Sequence, residues 1–399
     1  MRIEALEPIS VDFGWRTISY LKVSTDAGIV GWSEFSESFG NPGLAGVITA
    51  MSPYVVGRDP RRVELVTHDL AMLVRPARGG VNRQAIAAIE NALLDIKARD
   101  LDVSVSDMLG GKVRDSIPVY WSHAGFYRLP KFAPYVGVPP LTSYDDARAF
   151  AASVRAAGFT GMKTNVLGFG DTGVIGRTNP YARAVATTGR GWDTRMIDQL
   201  VATVAAFREG AGDDADIYVD VNFMFDLEGY RRVAAALAPF GLAWLEFDHQ
   251  DAVGMARVRH EAAMPIGSGE AIYERVGYRP FFEAGAWDAA IVDVLWNGYL
   301  ESLKIASMAE AYSIPVAPHN FYGHLATAIS AHFCAAVPNL HVMELDVDSV
   351  AWRDELVVEP PRVENGMLQV PSGPGWGIEI DEAALRRHAP TKESETPWK

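Results

Sequence analysis

The chain has 399 residues, enough for one large barrel with a smaller domain beside it. A content of 49% hydrophobic and 22% charged residues is typical of a globular protein. The net charge of −14 argues against nucleic acid and anionic membrane surfaces as partners, although a bound metal could still recruit an anionic substrate. The single cysteine, Cys334, excludes an internal disulfide and is expected to be a buried apolar side chain.

The first part of the chain predicts an α+β capping domain, which we place at residues 1–115. Residues 17–23 and 29–34 alternate between apolar and polar side chains around a turn, and with the residues before them they predict a three-stranded antiparallel meander. Residues 43–110 then have helical periodicity, most clearly over 83–99. Strands followed only by helices are typical of a separate α+β unit.

From residue 116 the pattern changes to short apolar strands that alternate with amphipathic, alanine-rich helices. The predicted strands are 117–121, 159–163, 217–220, 242–246, 264–268, 289–293, 314–318 and 341–344. Eight strands at this regular period predict a modified TIM barrel of the (β/α)7β type over residues 116–350, although six or seven of them would also fit a doubly wound sheet. The proline-rich segment 351–399 is predicted to pack back on the capping domain.

Two further features concern the surroundings of the barrel. Residues 166–192 form a long insertion after the second strand, and loops of this length are usually lids or disordered. The insertion carries basic and aromatic side chains: Arg177, Tyr181, Arg183 and Arg190. Arg2 and Glu4 interrupt any apolar region that a signal peptide would have at the start of the chain, and no apolar stretch reaches membrane-spanning length. A cytoplasmic protein is therefore expected.

Three neighbouring strands each end on an acid, at Asp220, Glu246 and Glu270. Because the carboxyl ends of parallel strands meet at one edge of a barrel, these side chains are expected to lie together. Three carboxylates are hard oxygen ligands that suit a divalent cation, Mg²⁺ first. The alternative is that each acid pairs with a lysine or caps a helix.

The α+β domain, the barrel, the three strand-end acids and the segment 163–165 together resemble the enolase superfamily, and within it the mandelate racemase-like branch. The resemblance covers nearly the whole chain. It implies that Asp220, Glu246 and Glu270 bind Mg²⁺. It also implies removal of the proton α to a carboxylate, which gives an enediolate held by the metal, and a homo-oligomer.

Four residues are predicted to be catalytic. Lys163 ends the second strand beside the acids and is expected to act on the substrate carboxylate and the enediolate. His319 ends the seventh strand and Asp293 the sixth, so the carboxylate is predicted to fix the imidazole tautomer and raise its basicity. In this family an acid placed like Glu344, at the end of the eighth strand, can stay protonated and hydrogen-bond the enediolate; a salt bridge at the barrel rim is the alternative.

Five residues are predicted to contact substrate: Asn165, Asn222, His123, Trp15 and Arg16. Racemases of the branch carry a second lysine, which acts as a base, at the place of Asn165, and asparagine cannot accept a proton. Asn222 follows Asp220 by two residues and could support the metal, contact substrate or form an Asx-turn. His123 is a spare acid or base after the first strand, and Trp15 and Arg16 lie in a loop of the capping domain that would cover the barrel mouth.

The absent second lysine favours a dehydratase over a racemase. Elimination of water from a sugar acid, giving a 2-keto-3-deoxy acid, needs one base and one acid, and His319 is predicted to be the base. The acid is left open between His319, His123 and a group of the insertion. The alternative is a racemase, epimerase or cycloisomerase that uses Lys163 and His319, and a metal-stabilised binding protein is a third, different class.

Overall fold

The structure is a computed structural model that describes residues 1–38, 41–169 and 194–391. An antiparallel sheet opens the chain and confirms the predicted meander; its strands are β1 (Ile3–Asp12), β2 (Thr17–Thr25) and β3 (Val30–Phe35). The turn between β2 and β3 has Gly28 at φ 77°, a left-handed conformation that glycine adopts without a steric penalty.

Helices cover one face of this sheet, as the helical periodicity predicted. They are α1 (Leu44–Met51), α2 (Val63–Leu73), α3 (Gly80–Asp100) and α4 (Val105–Met108). The long helix α3 packs against β3 so closely that a Cβ at Gly31 would lie 2.3 Å from the carbonyl oxygen of Ala92. A glycine is therefore required at this contact between sheet and helix.

Eight parallel strands form the barrel in the described part of the chain, and the predicted fold class is confirmed. They are β4 (Ser116–Trp121), β5 (Gly161–Thr164), β6 (Asp216–Asp220), β7 (Trp244–Glu246), β8 (Ile266–Ser268), β9 (Ala289–Asp293), β10 (Val316–His319) and β11 (Met343–Leu345). Successive strands from β4 to β10 pair in order, and β11 pairs with β4. A bridge between Val316 and Leu340 joins β10 to the segment that leads into β11, which closes the barrel.

Helices alternate with these strands on the outside of the barrel. They are α5 (Ala133–Val136), α6 (Tyr144–Ala156), α7 (Thr194–Ala211), α8 (Leu227–Leu237), α9 (Ala252–Glu261), α10 (Glu274–Ala284), α11 (Val294–Asn297), α12 (Tyr299–Ala311) and α13 (His324–Ala336). Several begin at a capping side chain that accepts a backbone N–H, as Ser143, Asp226 and Asp251 do. Within the residues described, no helix is long and apolar enough to cross a bilayer.

An aromatic layer fills the interior of the barrel below the strand ends. The rings of Tyr120, Tyr218 and Trp244 contact one another, with centroids 4.8 Å and 4.1 Å apart along the series. All three side chains are buried. This packed layer forms an apolar floor under the polar residues that follow.

The last part of the chain contacts both the barrel and the capping sheet. A hairpin of β12 (Val363–Glu364) and β13 (Met367–Gln369) adds β13 antiparallel to β4, which the sequence analysis did not predict. The helix α14 (Glu382–Arg387) then reaches the capping sheet, where the backbone N–H of Asp12 donates to the carbonyl of His388. The division of the chain at residues 115 and 350 stays a prediction.

Candidate active site

The strand-end residues predicted from the sequence lie at one edge of the barrel. Lys163, Asp220, Glu246, Asp293, His319 and Glu344 belong to β5, β6, β7, β9, β10 and β11, and Glu270 follows β8 by two residues. The ladders pair Asp220 with Glu246 and Asp293 with His319. Because the strands are parallel and in register, their carboxyl ends bring these side chains together.

A lysine lies among the acids. Nζ of Lys163 is 3.1 Å from both carboxylate oxygens of Glu246, 2.9 Å from Glu344 and 4.0 Å from Asp220. Glu270 instead faces His319, with its Oε2 3.3 Å from Nε2. In the described residues, no three His, Cys, Asp or Glu side chains are grouped as closely as the ligands of one metal ion.

The three predicted metal ligands nevertheless fit a divalent cation by their chemistry. Asp220, Glu246 and Glu270 are 5%, 1% and 7% exposed. Burial, the largest cause, raises the pKa of each; for Glu246 it is raised to about 7 although Lys163 opposes the shift. Buried carboxylates of this kind are stabilised by a cation, and Mg²⁺ prefers oxygen ligands. We conclude that the donor set fits Mg²⁺.

On the other side of the barrel mouth, His319 is held by Asp293. Nδ1 of His319 donates to Oδ2 of Asp293 at 2.6 Å, and the same oxygen accepts the hydroxyl of Tyr322 at 2.6 Å. The backbone N–H of Trp296 donates to the other oxygen. Burial lowers the pKa of His319, but Glu270 and the hydrogen bond to Asp293 raise it to about 10 overall. The imidazole is therefore fixed with Nε2 facing the acids.

Glu344 lies between the two sides, within hydrogen-bond distance of Lys163. Its oxygens accept the hydroxyl of Ser122 and the backbone N–H of Asn320, and Lys163 is 2.9 Å away. Burial raises the pKa of Glu344, but Lys163 and His319 lower it well below the usual range. The contact with Lys163 is the salt bridge given as the alternative for Glu344, and a protonated Glu344 that hydrogen-bonds the enediolate stays a prediction.

Both asparagines of the predicted site contact Asp220. Nδ2 of Asn165 donates to the backbone carbonyl of Asp220 at 3.1 Å. Asn222 donates through its backbone N–H and its side chain to the two carboxylate oxygens of Asp220, at 2.7 Å and 2.8 Å. Asn222 has φ 45°, which asparagine tolerates better than most residues. The two amides thus fix the position of Asp220.

His123 lies on the other flank of Glu344 and is paired with an acid that the sequence analysis missed. Nδ1 of His123 donates to Oδ1 of Asp346 at 3.0 Å. Asp346 also accepts from the guanidinium of Arg16 at 2.9 Å, and Arg16 donates to the backbone carbonyl of Phe321. Trp15 and Arg16 are almost fully buried. Their predicted substrate contact stays a prediction; the contact observed for Arg16 is with Asp346.

Three further residues of this site, Ser122, Tyr322 and Asp346, were not predicted. Asp346 follows Glu344 by two residues, the same spacing as Asn222 after Asp220, so the alternation of a strand could have indicated it. Tyr322 lies in the loop between β10 and α13, where neither the period of a strand nor that of a helix applies. The insertion with Arg177, Tyr181, Arg183 and Arg190 lies mostly outside the described residues, which end at 169 and resume at 194.

Two family profiles match this chain. Residues 146–384 match the enolase C-terminal domain-like profile, and residues 6–110 match the N-terminal domain of mandelate racemase and muconate lactonizing enzyme. The chain belongs to the mandelate racemase/muconate lactonizing enzyme family. This family is part of the enolase superfamily, and its members are enzymes. The prediction that the chain belongs to this superfamily and the prediction that it is an enzyme are both confirmed.

Among characterised members, the chain is similar to dehydratases and to a cycloisomerase. It is 29% identical over 382 residues to D-xylonate dehydratase of Haloferax volcanii, covering 92% of this chain and 84% of that protein. It is 28% identical over 393 residues to D-galactarolactone cycloisomerase of Agrobacterium fabrum, covering 95% and 93%. Members with this degree of similarity therefore carry out two kinds of reaction.

A solved structure from the family is more similar in sequence. The protein comes from Burkholderia xenovorans strain LB400 and is provisionally named an L-alanine-DL-glutamate epimerase. It is 42% identical, with a TM-score of 0.93 over 98% of this chain and 99% of the other. A second structure of that protein, with a TM-score of 0.92 over 98% and 96% of the two chains, contains magnesium and fumarate. The family profiles and this magnesium-bound relative support Mg²⁺ binding.

Proposed function

We propose that this enzyme dehydrates a sugar acid to a 2-keto-3-deoxy acid, with His319 as the base. The observation that carries the proposal is the hydrogen bond between His319 and Asp293. This pair lies on the side of the mouth opposite Lys163, and Lys163 has no second lysine beside it. Asn165 stands where a racemase would have its other base, so proton removal is restricted to one face of the substrate. The dehydratases among the relatives support the same reaction.

Asp220, Glu246 and Glu270 would hold the Mg²⁺ ion. When bound, the ion supplies a fixed positive charge for the substrate carboxylate and for the negative charge that develops on it, and offsets the charge of its ligands. Asn165 and Asn222 hold Asp220 in place through the contacts described above. Lys163 keeps a second positive charge at the acidic edge of the mouth, where it would attract the substrate carboxylate.

His319 removes the proton on the carbon next to that carboxylate. Its Nδ1 is occupied by Asp293, so Nε2 is the atom that accepts the proton. Tyr322 and the N–H of Trp296 hold Asp293 in turn, which keeps the imidazole in one orientation. The carbon–oxygen bond at the neighbouring carbon then breaks and water leaves, which makes the enzyme a hydro-lyase.

An epimerase acting on a dipeptide is the second candidate, favoured by the name of the Burkholderia xenovorans protein. Lys163 and His319 would then exchange the proton on opposite faces. Against this, Nζ of Lys163 is bound by Glu246 and Glu344.

A panel of substrates in D₂O with Mg²⁺ distinguishes these reactions. The panel contains D-xylonate, D-gluconate, D-galactonate, D-galactarolactone and L-alanyl-L-glutamate. Dehydration gives a 2-keto acid that forms a semicarbazone, whereas epimerisation gives exchange of the α-hydrogen without a keto acid. We expect a keto acid from at least one sugar acid, and exchange of the dipeptide alone would overturn the proposal.

The base is tested with His319→Asn. We expect keto acid formation to fall at least about 100-fold, the usual contribution of a general base. The matched control is His260→Asn, because His260 is exposed on α9, and it should keep full turnover. Full turnover by His319→Asn would contradict the assigned base.

The homo-oligomer expected from the resemblance also stays a prediction. The molecular mass of the protein in solution tests it.

A further inference from the structure

The barrel mouth contains a second histidine–aspartate pair that the proposed reaction has not used. Nδ1 of His123 donates to Asp346 at 3.0 Å, as Nδ1 of His319 donates to Asp293. Asp346 and Asp293 are 1% and 0% exposed. The side chain of His123 is 18% exposed, and in the part of the chain that the structure describes no hydrogen bond to its Nε2 is present. Its free nitrogen is thus available at the mouth.

The two histidines flank the same carboxylate. Oε2 of Glu344 is 3.9 Å from Nε2 of His319, and its Oε1 accepts the hydroxyl of Ser122, which is 3.3 Å from Nδ1 of His123. The ring of Phe321 contacts both imidazoles, with centroids 4.7 Å from His319 and 6.1 Å from His123. Both histidines therefore border the part of the mouth around Glu344, one on each side of its carboxylate.

The two pairs differ in charge. Asp293 accepts from neutral donors, the hydroxyl of Tyr322 and the N–H of Trp296, besides His319. Asp346 forms a buried ion pair with Arg16, so its negative charge is already balanced. A proton that leaves His123 therefore leaves a neutral Asp346–Arg16 pair behind, and no buried carboxylate loses its counter-charge.

We infer that His123 is the general acid that protonates the leaving hydroxyl, and that Asp346 and Arg16 are its positioning residues; this rests on the proposed dehydration. His319 takes the proton from C2, the C2–H electrons form the C2–C3 double bond, and the C3–O bond breaks. The departing oxygen takes the proton from Nε2 of His123 and leaves as water. The enol takes the proton of His319 at C3 and loses its hydroxyl proton to solvent, which gives the 2-keto acid, and His123 regains a proton from solvent.

The test is His123→Gln with the sugar acid of the panel from which the wild-type enzyme forms a keto acid. Keto acid formation should fall at least about 100-fold, the usual contribution of a general acid. Exchange of the C2 hydrogen in D₂O should persist, because His319 is intact. The 3-deoxy-3-fluoro analogue of the same acid should still lose fluoride at a rate within about threefold of wild type, since fluoride leaves without a proton.

Asp346→Asn should show the same pattern with a smaller loss, because it acts through His123. The matched control is His388→Gln. Like His123, His388 pairs with a carboxylate, that of Glu355 at 3.2 Å, and stacks on an aromatic ring, that of Trp352 at 3.7 Å between centroids. It lies in the C-terminal segment. It should keep full dehydration. Unchanged dehydration by His123→Gln, or an equal fall in dehydration, exchange and fluoride release, would overturn the inference. Failure of the wild-type enzyme to form any keto acid would instead overturn the proposed function.

Discussion

Lys163 is the buried cation nearest to the predicted metal ligands. Its ammonium contacts Glu246 and Glu344 and lies 4.0 Å from Asp220, while Glu270 faces His319. One ammonium cannot balance this many carboxylates. The remaining negative charge is the physical reason that the strand ends suit a divalent cation, and it predicts that each ligand contributes measurably to the affinity for the ion.

The first prediction concerns Glu246, whose carboxylate is 1% exposed. Replacing it in Glu246→Gln removes one negative charge from the ligand set, so the Kd for Mg²⁺ is expected to rise at least tenfold, or about 1.4 kcal/mol. Isothermal titration calorimetry at constant ionic strength measures this without turnover. Asp213→Asn, a substitution of an exposed acid, is the control. Equal Mg²⁺ affinity of Glu246→Gln and the parent would refute the metal assignment.

At the residue scale, the sequence could predict the side chains that directly end a strand. Asp220, Glu246 and His319 were found because parallel strands place their last residues at one edge. Tyr322 was not predictable because it lies beyond the end of β10, where local backbone turns decide the direction of a side chain. Strand alternation could indicate Asp346, but its partner Arg16 lies 330 residues away in the loop between β1 and β2, and no local pattern encodes such a contact.

At the scale of elements, the helix α13 begins without a side-chain cap of its own. Its N-cap residue is Gly323, and its first turn has no acidic residue. The carboxylate of Glu34, from β3 of the capping sheet, accepts the backbone N–H groups of Gly323 and Ala326. A strand of one layer thus caps a helix of the other, immediately after the loop that follows His319.

The second prediction is that Glu34→Ala lowers the free energy of unfolding by about 2–4 kcal/mol, because two buried N–H groups lose their acceptor. Burial raises the pKa of Glu34 to about 7, so chemical denaturation is measured at pH 8, where the carboxylate is ionised. Glu34→Gln keeps one acceptor and is expected to lose less. Glu4→Ala, on the exposed face of β1, should change stability by less than about 0.5 kcal/mol. A loss this small in Glu34→Ala would contradict the capping role.

The elements themselves were largely predictable, and their exceptions have a common cause. The alternation of strands and the helical periodicity are local signals, and the eight barrel strands overlap the predicted ones within a few residues. The hairpin of β12 and β13 was not predicted because its strands have two and three residues. Pairs this short depend on the partner strand β4 and carry almost no pattern of their own.

At the scale of the whole molecule, one buried histidine joins three parts of the chain. His332 of α13 lies 3.0 Å from the hydroxyl of Ser106 in α4, through Nδ1, and its Nε2 donates to the carbonyl of Trp376 at 3.1 Å. Trp376 is fully buried against Tyr299. The neutral imidazole satisfies both partners, so protonation would require a rearrangement of this junction.

The third prediction follows from burial, which lowers the pKa of His332 to about 4 against an ordinary value of 6.5. As the pH falls, the unfolded chain binds this proton before the folded protein does. The contribution of neutral His332 to the free energy of unfolding is therefore complete above about pH 6.5 and is lost as the pH decreases toward 4. From pH 7.5 to 5, the wild-type protein should lose roughly 2 kcal/mol more unfolding free energy than His332→Gln. Denaturant titrations at both pH values measure the difference, with His68→Gln, on the exposed face of α2, as the control. Parallel pH dependence of His332→Gln and the wild type would contradict this account.

The hydrogen bond between Asp12 and His388 connects residues that are almost the full length of the chain apart. During synthesis on the ribosome, the strand β1 emerges before the barrel, whereas the helix α14 that packs against it emerges after the barrel. Barrel strand β4 likewise waits for the hairpin of β12 and β13 before its outer edge is paired. The contact between β1 and α14 can therefore form only after the whole barrel has been synthesised, which makes it a contact of high sequence separation that closes late.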